Sequence, residues 1–215
     1  MTETRGSAMF HAFSAHPVSW LVGFLWLLWA TVWLAAAVWT AGIKRRPVER
    51  REWRTTRLSV LLLAIPAVLI WNLRPVLGWW DRPLLPHALA LPGLLVSATG
   101  FAFSIWARIA LNRNWSGMAV LRSGHELVRK GPYRMVRHPI YTGLLLALAG
   151  TVIALGLPPR WIALWLLILA ALWLKITGEE KLLAERFGPD FESFRRSTPA
   201  LVPHLVHNPD RSPEP

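Results

Sequence analysis

Uncharged apolar runs, separated by short basic stretches, dominate the pattern along this chain. No residue from Pro17 to Ile43 is charged, which exceeds the roughly 20 residues a bilayer-crossing helix needs. Leu58 to Leu73, continued by Val76 to Trp80, predicts a second span with a kink at Pro66. A third uncharged run extends from Pro83 to Ala107 and holds Gly93, Ser97 and Gly100 at spacings that allow close helix packing. Pro139 to Pro159 predicts a fourth span, in which Gly143, Ala147 and Gly150 share one face. The turn Gly156-Leu157-Pro158-Pro159-Arg160 makes spans four and five an antiparallel hairpin. The fifth span, Trp161 to Leu174, is short and relies on snorkelling by Lys175. The pattern therefore predicts an all-α, polytopic membrane protein with five transmembrane helices and a cytoplasmic C-terminal helical segment. Residues 1–16 read as a tail, 17–111 as spans one to three, and 112–215 as a polar loop, the hairpin and the terminal helices. A single catalytic domain is expected at about 95–204.

Composition agrees with this reading. With 53% hydrophobic residues, 14 Trp and a mean hydropathy of +0.35, the chain is a membrane protein by composition. The absence of Cys excludes disulfides, thiolate nucleophiles and Cys-ligated metals. A net charge of +12 is of the size seen in nucleic-acid binders, but the cations punctuate apolar runs and form no soluble basic face. They set topology instead. With the amino terminus outside, only Arg5, Arg74, Arg82 and Arg160 face outward, and the other 20 of 24 Lys and Arg lie inside. The loop before His138 and the carboxyl tail then share the cytoplasmic face of what is expected to be a bacterial inner membrane. The histidines His11, His16, His87, His204 and His207 lack metal-ligand spacing, so no metal site is expected.

Polar chemistry is concentrated between Gly131 and Gly143. Pro139 suits the first position of a helix and holds His138 extended at its mouth. Tyr141 lies on the first turn, so His138, Tyr141 and the free N–H groups there can face one small polar ligand. The alternative is an interfacial belt of snorkelling Arg and anchoring Tyr. A second polar patch follows the hairpin at Glu179 and Glu180. Glu180 shares a face with Leu183, Ala184 and Phe187, and Glu179 with Lys175, Leu182, Leu183 and Arg186. A plain i,i+4 pair of Lys175 and Glu179 on a solvated face is the simpler reading of that patch. Gly188-Pro189 ends one helix and starts another, and residues 190–199 read as a short surface helix whose Arg195 and Arg196 meet anionic headgroups.

Taken together, Gly131-Pro132-Tyr133, Arg137-His138-Pro139-Ile140-Tyr141, the hairpin, Glu179-Glu180 and Phe187-Gly188 resemble the isoprenylcysteine carboxyl methyltransferase family and its prokaryotic relatives over about residues 95–204. The pattern extends less sharply to phospholipid amine and small-thiol methyltransferases. The resemblance implies an integral membrane enzyme using S-adenosylmethionine (SAM) and a lipophilic or lipidated acceptor, with membrane lipids around it and no nucleic-acid partner. By this resemblance the cofactor site comprises His125, Leu127 and Val128 through backbone groups, together with Tyr133, His138, Pro139, Tyr141, Glu179 and Glu180. Lys175 and Arg137 are assigned as catalytic, Lys175 at the position where the family holds a substrate carboxylate. The family has Arg there, and an ammonium offers a point charge where a guanidinium offers a bidentate fork. Met118 stands where a Gln is expected, and Phe191 and Phe194 where the family has Tyr. Methyl transfer to an anionic carboxylate needs alignment, water exclusion and charge complementarity, and no general base. No glycine-rich loop follows a strand, so the usual soluble SAM fold is not expected. A non-enzymatic scaffold or small transporter is the competing class.

Overall fold

The structure is a computed structural model, and it describes residues 17–43, 48–51, 54–55, 57–62, 83–112, 120–122 and 126–203. Four long helices form its frame: α1 (Pro17–Ile43), α2 (Ala90–Leu111), α3 (Pro139–Ala154) and α4 (Pro159–Phe187), with a shorter α5 (Pro189–Ser197) at the end. Three are long and apolar enough to cross a membrane: α1 through Val18–Ala36, α2 and α4. α3 is a shorter apolar helix. Trp20, Phe24, Leu27 and Trp39 of α1 and Leu91 and Leu95 of α2 are all at least 60% exposed. Rows of large apolar side chains facing outward on helices of this length belong against lipid, which makes this an integral membrane protein. Most of the second expected span, residues 63–82, lies outside the described residues, so the count of five is not carried further. Its start is helical at residues 57–62, and there the buried Ser59 donates to the Ala171 carbonyl of α4 at 2.9 Å.

The small-residue faces expected on the third and fourth spans meet each other. A Cβ added to Gly100 would stand 2.3 Å from the Ala147 nitrogen, and one added to Gly150 would stand 2.3 Å from the Ser97 nitrogen. The two backbones therefore touch, as they must where lipid supplies no hydrophobic drive and packing comes from close approach. Ser97 Oγ reinforces the seam by donating to the Ala147 carbonyl at 3.0 Å, and it lies 3.2 Å from Thr151 Oγ1. α1 covers this pair through indoles. Trp29 Nε1 donates to Ser104 Oγ at 2.8 Å and Trp26 Nε1 to Thr151 Oγ1 at 3.1 Å, while the Trp26 ring meets Phe101 edge-on with centroids 4.9 Å apart.

The hairpin forms as the turn chemistry predicts. Gly156 adopts φ +83°, a region that suits a residue without Cβ, and its carbonyl accepts from the Leu84 and Leu85 N–H groups at 2.8 and 2.9 Å. Two features differ from the sequence expectation. First, the short fifth span and the amphipathic segment after it are one continuous helix, α4, of 29 residues or roughly 43 Å. No Gly or Pro capable of ending it occurs before Gly188, because Gly178 is a packing position: a Cβ there would stand 2.2 Å from Thr55 Oγ1. Second, a two-stranded antiparallel ribbon joins β1 (Val48–Arg51) to β2 (Val120–Arg122), a small exception in a helical fold. It ties the loop after α1 to the loop after α2 on the side that carries the polar residues.

Candidate functional site

Three segments distant in sequence converge at one end of the bundle. Gly131–Arg134 forms a 3-10 turn, and Pro139 opens α3 with His138 at the N-cap in a non-helical conformation, φ −122°. Across from them the C-terminal part of α4 presents Glu179 and Glu180, which are adjacent in sequence. Tyr141 Oη donates to Glu179 Oε1 at 2.6 Å, a short contact of the kind a phenol makes with an ionised carboxylate. Glu180 Oε1 accepts from Arg137 Nε at 2.8 Å, is 2.8 Å from Arg137 Nη2, and lies 3.1 Å from His138 Nε2. An ionised carboxylate only accepts, so Nε2 carries the imidazole hydrogen. The other ring nitrogen, Nδ1, faces Glu179 Oε2 at 3.6 Å, too far for a hydrogen bond. Both carboxylates thus point into packed surroundings, with side chains 21% and 17% exposed, and the sequence expectation that at least one would do so holds.

The carboxyl tail closes the site from a third side. The Arg137 and His138 N–H groups donate to the Pro199 and Ala200 carbonyls at 2.8 and 3.0 Å, and Thr142 Oγ1 donates to the Leu201 carbonyl at 2.7 Å. Arg137 Nη1 donates to the Arg195 carbonyl at 3.0 Å and also to that of Thr198. One guanidinium therefore holds α4, the end of α5 and the tail together. Gly188, at φ +49°, lets α5 start as soon as α4 ends, which brings the chain back over the site. Phe191 and Phe194 are buried beneath it, and the Arg129 guanidinium sits 5.6 Å from the Phe194 ring centroid.

The cluster has an aromatic side as well. The His138 and Tyr141 rings are nearly parallel, 9° apart with centroids separated by 5.8 Å, and Lys175 Nζ stands 5.4 Å over the Tyr141 ring. Tyr133 is 7% exposed, and burial together with the Glu179 charge pushes its phenol above the usual tyrosine value, with Arg108 opposing. Tyr133 therefore stays a neutral phenol at ordinary pH. Arg108, read from the sequence only as the end of a span, is a component that reasoning missed. It is 4% exposed and donates from Nη2 to the Ala36 carbonyl of α1 at 3.1 Å and from Nη1 to the Asn112 carbonyl at 3.2 Å. Its signal was its position on the Gly100 and Ser104 side of the third run, at i+8 and i+4, which is the packed face.

Of the residues assigned from sequence, Arg137, His138, Tyr141, Lys175, Glu179 and Glu180 come together directly, with Tyr133 buried beside them. Pro139 is buried as the first residue of α3. Leu127 and Val128 are half-buried in the segment leading to the 3-10 turn, and His125 and Met118 lie outside the described residues. Among the described residues no group of three or more His, Cys, Asp or Glu could hold a metal ion.

Comparisons with known proteins match this part of the chain. The family model for phospholipid methyltransferases matches residues 89–190, from the start of α2 to the start of α5. The nickel-cobalt-cadmium resistance protein NccN of Alcaligenes xylosoxydans xylosoxydans is 32% identical over 130 residues, 59% of this chain and 55% of that protein. Protein-S-isoprenylcysteine O-methyltransferase B of Arabidopsis thaliana is 29% identical over 115 residues, 53% of this chain and 58% of that one. The protein-S-isoprenylcysteine O-methyltransferase of Schizosaccharomyces pombe is 34% identical over 79 residues, 37% and 34% respectively. The chain spans about half the length of the first of these relatives. The region that carries the hairpin and the polar cluster is thus the part of the chain that is similar to the phospholipid methyltransferases and to the isoprenylcysteine O-methyltransferases.

Proposed function

We propose that this chain is an S-adenosylmethionine-dependent membrane methyltransferase whose acceptor is an apolar or lipid-linked molecule bearing a carboxylate. The observation that carries the reading is the Tyr141 to Glu179 hydrogen bond at 2.6 Å, made across 38 residues and around a membrane hairpin. A belt of interfacial side chains has no reason to bring these two patches together. The residues present fit the cofactor. Glu179 retains an oxygen, Oε2, beside an imidazole nitrogen that is not hydrogen-bonded to it, and a carboxylate so placed suits a ribose hydroxyl or an ammonium group. Tyr133 and Tyr141 supply aromatic surface and neutral phenols. When bound, the cofactor supplies a methyl group on a sulfonium, poised for in-line displacement.

The chain's own groups then divide the work. Glu179, Tyr141 and His138 bind and orient, and Arg137 positions them by fixing Glu180 and the tail, because its donors are committed there. Lys175 faces the acceptor as a cation and draws a carboxylate toward the donor. The family match raises phospholipid amines as a second acceptor class. A cation at Lys175 repels an ammonium acceptor, so the carboxylate is preferred. The cluster faces the cytoplasm in this reading, the amino terminus lies outside, and the acceptor enters from the lipid.

Purified protein in vesicles, given SAM labelled in the methyl group, tests the acceptor. Transfer to an S-farnesylated cysteine carboxylate is expected, with kcat/KM at least tenfold lower in Lys175→Ala while affinity for S-adenosylhomocysteine stays within twofold. Transfer confined to phosphatidylethanolamine, or equal loss of turnover and cofactor affinity in Lys175→Ala, overturns the assignment.

A further inference from the structure

The end of the bundle opposite the polar cluster holds a cavity of about 390 Å³ between α1, α3 and α4, whose walls include Val22, Gly23, Leu148, Val152, Leu164 and Ile168. It is separate from the site described above. Thr151, also in its wall, is ten residues along α3 from Tyr141, roughly 15 Å. The Trp165 indole, donating to the Leu145 carbonyl at 3.0 Å, crosses the seam between the two.

Two observations give this space a ligand chemistry. The lining is apolar and runs into side chains that face the bilayer, with Trp20 71%, Leu21 48% and Phe24 60% exposed beside it on α1. The polar groups in the wall are not equivalent, however. Trp26 Nε1 and Thr151 Oγ1 are bonded to each other, whereas Trp161 Nε1 is buried and has no hydrogen-bond partner. A buried N–H without an acceptor is costly, and at the hairpin end of α4 a lipid headgroup region lies within reach to supply one. Next to it in sequence, the Arg160 guanidinium lies 5.5 Å from the Trp161 ring centroid, at the hairpin end of α4. The space therefore calls for a molecule that is apolar along most of its length, with an acceptor oxygen and then an anionic group at one end. At about 30 Å³ per water-sized group, it has room for roughly a dozen methylene-sized units.

We propose that this cavity is a phospholipid site, one acyl chain lying between α1, α3 and α4 with its ester carbonyl accepting from Trp161 Nε1 and its phosphate beside Arg160. It rests on none of the residues of the polar cluster. The bound lipid would fill the joint between α1 and the hairpin, beside the Trp26 indole hydrogen bond that ties α1 to α3.

Gly23 offers a clean probe, because a Cβ added there meets nothing within 4 Å and a larger side chain fills space that is open. The full chain would be reconstituted in dioleoyl-phosphatidylglycerol vesicles doped with a phosphatidylglycerol carrying a diazirine on its acyl chain, then illuminated, digested and mapped. Labelling is expected to concentrate on peptides spanning 148–155 and 164–168, and to fall at least fivefold in Gly23→Leu, with labelling of the exposed face at Trp20 and Phe24 unchanged. Native mass spectrometry should show one retained phosphatidylglycerol per chain in the wild type and at least threefold less in Trp161→Phe. Val152→Phe, which fills the cavity from α3, should repeat the loss if Gly23→Leu does not fold. Labelling spread evenly over the exposed faces, or unchanged in both cavity-filling variants, is ordinary bilayer contact and overturns the proposal. Retention that is the same in Trp161→Phe as in the wild type overturns the carbonyl contact.

Discussion

At the scale of single residues, the polar cluster is a set of groups that would be expensive apart and are satisfied together. Arg137 is the clearest case, since its guanidinium binds Glu180 and two carbonyls of the carboxyl-terminal segment. Replacing it with Gln leaves a partly buried carboxylate with the imidazole alone. Arg137→Gln should lower stability by about 2 kcal/mol, less than a broken fully buried pair costs because both side chains keep some solvent contact. A thermal melt of the detergent-solubilised protein would show it, and an unchanged melting temperature would remove the clamp from the account. Tyr133 makes a prediction about pH. Burial and the Glu179 charge raise its proton affinity in the folded state, so the folded chain holds that proton more tightly than the unfolded chain does. Its contribution to stability is complete below the unfolded value of about 10 and is lost as pH rises from there toward the raised folded value. Alkaline denaturation of Tyr133→Phe should therefore lack part of the downward slope seen above about pH 10 in the wild type. Identical curves would contradict it.

At the scale of elements, the contact between α2 and α3 decides where His138 and Tyr141 sit. Small residues at 93, 97 and 100 on one helix and 143, 147 and 150 on the other were visible in the sequence as packable faces, and the structure sets them against each other. Gly100→Ala places a methyl carbon 2.3 Å from the Ala147 backbone nitrogen, where neither side can yield as a flexible side chain would. Overpacking of this kind costs about 1–3 kcal/mol. Gly23→Ala, by contrast, meets open space and should leave the melt unchanged or slightly raised, since Ala is the better helix former. Equal effects of the two substitutions would mean that backbone contact between α2 and α3 does not set the bundle. The single long α4 was less legible. Its apolar half and its charged half differ so much in composition that they read as separate segments, yet nothing between Pro159 and Phe187 breaks a helix. That continuity transmits the hairpin position to Glu179 and Glu180 rigidly.

At the scale of the whole molecule, the end of the bundle near the hairpin turn and the end with the cations have different characters. Sequence patterning revealed the apolar runs, the hairpin and the Arg137 to Tyr141 stretch because each is local: a charge-free length, a turn dipeptide, a proline after a histidine. It did not reveal the return of residues 198–201 onto 137–142, since backbone hydrogen bonds between remote segments leave no mark on side-chain pattern. Nor did it reveal the depth of Arg108, whose burial depends on α1 lying alongside. Deleting residues 198–215 should therefore retain helical circular dichroism while reducing S-adenosylhomocysteine affinity at least tenfold, because the Arg137 and His138 N–H groups lose their acceptors. Full affinity in the truncated chain would show that the tail is not part of the site.

The central claim is that the start of α3 and the C-terminal part of α4 together hold one cofactor. Isothermal calorimetry of S-adenosylhomocysteine against the detergent-solubilised chain measures it most directly, with Tyr141→Phe, Glu179→Gln and the double variant alongside. The account predicts one site of micromolar affinity, at least a tenfold loss in each single variant, and a double variant no worse than about the weaker single one, since each weakens the same pair, Tyr141→Phe by removing the donor and Glu179→Gln by removing the charge. Absence of binding heat in the wild type, or full affinity in Glu179→Gln, would contradict it.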